Sequence, residues 1–181
     1  MKYPIVCFIF IAAFFFISQN SYAQKGKNEI AIGAEIGPSF RQGFAAMSYQ
    51  MGIPVKAYYG IGTRGQMMFR TGVHTYPLYG HSGDYAGTSR NHFIPLTLGF
   101  RYNLDKIYLE GSIGAARSIE NYSPLDPLEQ DRRYAKTLYH NGVEIGYHLG
   151  RFDIGISLNH LGPRRVSSNY FGLKALYRLG L

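Results

Sequence analysis

The sequence predicts an all-β fold: an eight-stranded antiparallel up-and-down transmembrane β-barrel with short periplasmic turns and longer extracellular loops. Three observations carry this. Segments of about ten residues alternate apolar with polar or glycine at period 2, the rhythm of a membrane-crossing strand. The connections alternate between tight and long. The polar face holds glycine and isolated charges of both signs, not the Lys, Glu, Ser and Asn of a wetted surface. Alternation alone leaves a soluble lipocalin-like barrel open, with its apolar side chains inside; the other two features decide against it. Aromatics near strand ends fit two interfacial girdles. These are Phe40, Phe44, Tyr49, Tyr76 and Tyr79 on the long-loop side, and Tyr102, Tyr108, Tyr147, Phe152 and Tyr177 on the short-turn side.

Residues 1–23 read as a secretory signal peptide, leaving 24–181 as a single barrel domain. Lys2 gives a positive start, Ile5 to Ile17 is apolar, and Ser21-Tyr22-Ala23 places small residues before Gln24. The run is too short for a membrane span. Cys7, the only cysteine, lies deep in that run, so the exported chain lacks thiols for disulfides, metal ligation or nucleophilic attack.

Eight strands then follow in order. The first spans Glu29 to Phe40, with Ile30, Ile32, Ala34 and Ile36 on one face and Gly33, Glu35 and Gly37 on the other. The second, Gly52 to Gly62, sets Ile53, Val55, Ala57 and Tyr59 against Pro54, Lys56 and Tyr58. The third, Gln66 to Tyr76, sets Met67, Phe69 and Val73 against Met68, Arg70 and His74. Strands four and five form the hairpin His92 to Arg117, whose apolar sets (Ile94, Leu96, Leu98, Phe100, Tyr102; Ile107, Leu109, Ile113, Ala115) share one face. The sixth, Thr137 to Leu149, sets Val143, Ile145 and Tyr147 against His140, Glu144 and His148. The seventh, Phe152 to His160, sets Ile154, Ile156 and Leu158 against Asp153, Ser157 and Asn159. The eighth, Asn169 to Leu181, sets Phe171, Leu173, Tyr177 and Leu179 against Gly172, Lys174 and Arg178, with Leu176 breaking the polar set. Thr63–Gly65, Asn103–Lys106 and Gly150-Arg151 are the tight turns. Arg41–Gln50, Pro77–Asn91, Ser118–Lys136 and Leu161–Ser168 are the long loops.

An eight-stranded barrel has room inside only for side chains. The inward set therefore forms a lumen charge network of Glu35, Lys56, Arg70, Arg101, Glu110, Glu144, His148, Asp153, Lys174 and Arg178. Five Lys/Arg against four carboxylates favours mutual pairing and a closed plug; a lining of one sign would favour conduction. A two-residue turn at Gly150-Arg151 sets His148 against Asp153. A turn at Leu104-Asp105 sets Phe100 against Leu109 and Arg101 against Tyr108, diagonal to Glu110. Closure of the last strand on the first brings Lys174 or Arg178 towards Glu35, with the register open.

Without its leader the chain carries 18 Lys/Arg against 11 Asp/Glu. The only basic runs are Arg132-Arg133 and Arg164-Arg165, both in expected loops. Anionic outer-membrane lipids, lipopolysaccharide included, are their expected neighbours, with a protein partner as a second candidate for the loops and nucleic acid excluded. No cofactor or metal is expected, because no histidine or carboxylate cluster has ligand spacing. For catalysis the candidates are His81, Ser82 and Asp84, close together in one loop as His81-Ser82-Gly83-Asp84, and His160. Neighbours in a loop rarely hold triad geometry, and no serine follows His160 at His-x-Ser spacing, although Ser167 and Ser168 lie further along.

The Ser-Tyr-Ala-Gln junction, FIPLTLGFRYNL in the fourth strand and the terminal GLKALYRLGL resemble the Bacteroidota outer-membrane β-barrel domain family, the PorT-like small barrels. The resemblance spans Lys25 to Leu181 and implies fold and location in a Gram-negative outer membrane. Leu181 departs from the terminal aromatic such barrels usually carry. Family roles differ, so two functions stand at this point. One is a non-enzymatic structural or envelope barrel, or an accessory subunit of a secretion or assembly complex. The other is a lipid A-modifying enzyme of deacylase or acyltransferase type.

Overall fold

The computed structural model describes residues 27–41, 44–79, 87–124, 132–162 and 168–180. Eight strands form one antiparallel sheet: β1 (Asn28–Arg41), β2 (Phe44–Gly60), β3 (Gly65–Tyr79), β4 (Gly87–Leu104), β5 (Ile107–Pro124), β6 (Arg132–Leu149), β7 (Phe152–Leu161) and β8 (Ser168–Gly180). Each pairs with its sequence neighbour, and β8 returns to β1, so the sheet closes and has no free edge. The closing register runs from Glu29 opposite Gly180 to Arg41 opposite Ser168.

The alternation places the apolar set outside. Ile53, Leu98, Val143 and Leu173 are more than half exposed, whereas Lys56, Arg101 and Lys174 are buried. This is a soluble protein's core turned inside out. Gly33 fits the closing seam, because a side chain there would run into the Ala175 carbonyl.

Several strands run further than the alternation indicates. β2 begins at Phe44, β4 at Gly87 and β6 at Arg132, while β5 continues to Pro124. Within the expected loop Arg41–Gln50, residues 44–50 are therefore strand, and within Ser118–Lys136 residues 118–124 and 132–136 are strand as well. The Arg132-Arg133 pair consequently lies in β6, opposite Tyr122 and Asn121, and not in a loop. The backbone ladder satisfies every N–H and C=O whatever the side chains are, so strands continue beyond the apolar belt where the pattern fades.

The central hairpin turns one residue later than expected. Asp105-Lys106 is the tip, with Asp105 at φ 54°, which Asp tolerates. Leu104 then faces Ile107, Tyr102 faces Leu109, and Arg101 faces Glu110 directly instead of Tyr108. The register moves by two positions, so the faces are unchanged. At Gly150-Arg151 the pairing is as expected, with Leu149 opposite Phe152 and His148 opposite Asp153.

Two of the expected girdle aromatics, Tyr76 and Tyr108, lie buried inside the barrel. Both share parity with inward neighbours, and parity overrides the interfacial preference of the ring. Tyr49, Tyr147 and Phe152 are exposed outside. The side chains of Phe44 and Tyr79 lie outside the described set, as do residues 1–26 and Leu181.

Candidate functional site: a charge-paired lumen

At the end bearing the tight turns, six side chains from six strands close a ring. Arg178 Nη1 lies 3.6 Å from Glu29 Oε1, and Arg178 Nε lies 3.0 Å from Asp153 Oδ1. His148 Nδ1 is 2.7 Å from the same Asp153 oxygen, and its Nε2 is 3.0 Å from Asn103 Oδ1. Asn103 Nδ2 donates to Gln66 Oε1 at 3.3 Å, and Gln66 Nε2 donates back to Glu29 Oε2 at 3.5 Å. Arg178 also donates to the Gly150 carbonyl at 2.6 Å, tying the ring to the β6–β7 turn.

Above the ring the lumen is filled by a ladder of buried ions. Arg101 is held between the rings of Tyr58 and Tyr108, with its guanidinium carbon 4.2 and 3.9 Å from their centroids. It pairs with Glu110 at 2.5 Å and Asp153 at 2.6 Å, and donates to Tyr58 Oη at 2.6 Å. Lys56 bridges Glu110 and Glu144, the latter at 2.9 Å. Lys174 lies 2.5 Å from Glu144 and 3.6 Å from Glu35, and Arg70 lies 3.1 Å from Glu35. Tyr108 donates to Glu144 at 2.9 Å, and Tyr58 donates to Glu110 at 2.8 Å. Gly146 makes room for this arrangement, since a Cβ there would overlap the Tyr108 ring. Each carboxylate in the ladder meets at least one cation. Buried charge is tolerated on those terms, because an unpaired ion in a dry interior would cost several kcal/mol.

The end bearing the longer connections is closed by rings instead of ions. His74 stacks on Phe93 at 4.6 Å between centroids, and Tyr76 stacks on the same ring at 5.2 Å. Tyr170 packs against Phe93 at 5.6 Å and shares a 3.0 Å hydrogen bond with His140 Nε2. Ala116 and Leu161 complete the cluster. His74 Nδ1 contacts Gln50 Oε1 at 3.0 Å.

All ten expected network residues face this lumen, and the structure joins them into one connected system. Sequence reasoning missed Glu29. It shares parity with Ala31 and Glu35, and that was the available signal. With Glu29 this connected network of described residues joins five Lys/Arg to five carboxylates. The aromatic closure was also missed, because it brings Tyr170 of β8 against Tyr76 and Phe93 of β3 and β4.

The other expected positions lie elsewhere. His81, Ser82, Asp84, Arg164 and Arg165 fall outside the described residues, as does the side chain of Arg132. Arg133 is exposed on β6. His160 points away from the lumen, with Nδ1 2.8 Å from Asn169 Oδ1 and Nε2 3.0 Å from the Gly162 carbonyl. Among the described residues no group of three or more His, Cys, Asp or Glu has the arrangement to hold a metal.

Solved structures similar to this chain include bacterial outer-membrane barrels. Ail, the attachment invasion locus protein of Yersinia pestis, solved with the heparin analogue sucrose octasulfate, matches with a TM-score of 0.66 at 18% identity, over 86% of this chain and 99% of that one. The outer membrane protein OprG of Pseudomonas aeruginosa matches with a TM-score of 0.56 at 10% identity, over 90% and 98% of the two chains. The outer membrane enzyme PagL matches with a TM-score of 0.50 at 11% identity, over 81% and 98%. At such identities the likeness shows a shared fold. No protein-family model and no curated protein sequence matches the chain.

Proposed function

We propose that this chain is a small outer-membrane barrel of a Gram-negative envelope, exported by a cleavable signal peptide over residues 1–23, with a closed lumen and a non-enzymatic role. That role is structural or envelope-maintaining, or that of an accessory subunit in a secretion or assembly complex. It is not a wide pore. Placement among the PorT-like barrels of the Bacteroidota belongs to the same proposal. The outer location is supported by the apolar wall, a continuous exposed surface far beyond the few hundred Å² that a soluble monomer tolerates. It is supported also by closure of the sheet, which leaves no strand edge to face hydrocarbon.

The observation that carries the closed lumen is its balanced set of five Lys/Arg and five carboxylates, joined from Arg178 to Arg70. The void among Met68, Arg70, Glu110, Glu144 and Asn159 is too tight for a water molecule. Purified protein in a planar bilayer is expected to give no stable conductance steps. Regular, reproducible openings would show that the charges line a path, and the plug reading would fail.

The expected partners are anionic envelope lipids or glycans at the loop end, where Arg117, Arg133 and Lys136 are exposed. The sulfated ligand bound to Ail supports polyanion recognition by a barrel of this shape. The enzymatic alternative rests on fold kinship with PagL and on His160; lipid A mass spectrometry decides between the two.

A further inference from the structure

The outer wall carries a cleft of about 780 Å³ between β5 and β1, a volume typical of small-ligand sites. Its layout follows from the strand register. Asn141, His160 and Asn169 are directly paired in turn, so they form one outward row across β6, β7 and β8. One step towards the tight turns, Gly111, Val143, Leu158 and Phe171 form a parallel apolar row. Gly111 leaves that row open at one end, for nothing lies within 4 Å of where its Cβ would be. The wall therefore has a smooth apolar trough capped on the loop side by a polar rung.

We infer that this cleft is a binding site for one lipid A molecule. An acyl chain lies in the trough over Gly111, its amide or ester group meets the Asn141–His160–Asn169 rung, and a phosphate meets Arg117. The inference rests on the proposed membrane location, which sets the wall against acyl chains and the loop end towards the outer leaflet. Charge complementarity selects the occupant. Arg117 faces outward on β5, exposed and bonded to Thr137 Oγ1 at 3.2 Å, and lies four residues beyond Ile113 on the loop side, about 13 Å at the usual strand rise. Apolar contact alone cannot hold a lipid here, because the surrounding chains are as apolar as the trough. Selectivity must come from the polar rung, the cation and the shape left by Gly111.

The test uses the full-length mature chain in nanodiscs of equal phosphatidylglycerol and lipid A, released gently and weighed by native mass spectrometry. Wild type is expected to retain one lipid A in preference to phosphatidylglycerol. Gly111→Phe adds its ring into open space, so the fold should survive; a heat-dependent gel shift verifies it. That variant, and the combined Asn141→Leu, His160→Leu, Asn169→Leu variant, are each expected to lower lipid A occupancy about tenfold, or about 1.4 kcal/mol. Ile154→Phe, elsewhere on the same wall, should leave it unchanged. Equal retention of phosphatidylglycerol, or full retention of lipid A by both variants, overturns the site. Failure of wild type to enter nanodiscs at all would instead overturn the membrane reading.

Discussion

Arg101 and Glu110 face each other directly across the β4–β5 ladder, 2.5 Å apart and buried. Glu110 also holds Lys56, so one carboxylate neutralises cations from two strands. Glu110→Ala therefore leaves Arg101 with Asp153 alone and Lys56 with Glu144 alone, one positive charge in excess in a dry interior, and the expected loss is on the order of 3 kcal/mol. Urea unfolding of the refolded barrel, followed by the gel shift between unheated and boiled samples, measures it. A loss below about 1 kcal/mol would mean that water reaches the site. Arg101→Met in the Glu110→Ala background should recover part of the loss, since the excess positive charge is then removed while Asp153 keeps Arg178 and His148.

At the ring by the tight turns the same substitution should be mild. The side chains of Glu29 and Arg178 are about a fifth exposed, and their nearest approach is 3.6 Å. Partly wetted pairs contribute about 0–1 kcal/mol. Glu29→Ala should therefore cost no more than that, and the difference from Glu110→Ala in the same unfolding series reports the gradient of solvation along the lumen. Equal losses would contradict it.

Much of this was legible in advance. Period-2 alternation assigned every network residue but Glu29 to the lumen, because a face is insensitive to a two-residue change of register. The same insensitivity hid the direct Arg101–Glu110 pairing, which depends on whether the turn takes Leu104-Asp105 or Asp105-Lys106. The turn is decided by Asp105 entering the left-handed region, a local choice that alternation does not report. The upper halves of β5 and β6 were invisible for another reason. Above the apolar belt both faces meet polar surroundings, so Ser118 to Pro124 and Arg132 to Lys136 carry no hydrophobic rhythm although their ladders are complete. The aromatic closure around Phe93 needs three-dimensional neighbours that no single strand reveals.

Glycine substitutions should separate rigid from yielding contacts. At Gly33 an added Cβ meets the backbone of Ala175 and Leu176 across the β1–β8 seam. Backbone in a ladder cannot move without breaking hydrogen bonds, so Gly33→Val should abolish the compact, fast-migrating form on unheated gels. At Gly111 the space is open, and Gly111→Val should migrate as wild type. Identical behaviour of the two would show that the seam is not the constraint.

Reversal of Arg132, Arg133, Arg164 and Arg165 to Glu should weaken contact with the anionic outer leaflet. Each cation near such a surface contributes about 1 kcal/mol. The readout is detergent sensitivity of a strain carrying the reversed protein in place of the wild type. Because the strand ladder opposite Asn121 and Tyr122 holds the backbone of the first pair, the protein should still reach the membrane at normal levels. Unchanged sensitivity would identify the four arginines as merely solvated.

Loss of His160 should leave the covalent structure of lipid A unchanged, and the same holds for His81, Ser82 and Asp84. A general base needs a nitrogen free to accept a proton from a nearby hydroxyl. In His160 one ring nitrogen faces Asn169 Oδ1 at 2.8 Å, and the other faces the Gly162 carbonyl at 3.0 Å. Ser168, which sequence alone leaves free to fold back towards His160, belongs to β8 opposite Leu161. It shares parity with the buried Tyr170 and Lys174, so it lies on the lumen side of the wall while His160 lies on the outer side. Substitution of His160 with Ala, or of His81, Ser82 and Asp84 together, followed by mass spectrometry of extracted lipid A, should give spectra identical to wild type. An acyl chain that appears or disappears with any of these residues would assign them to chemistry, and the barrel would then be an enzyme working on its own membrane.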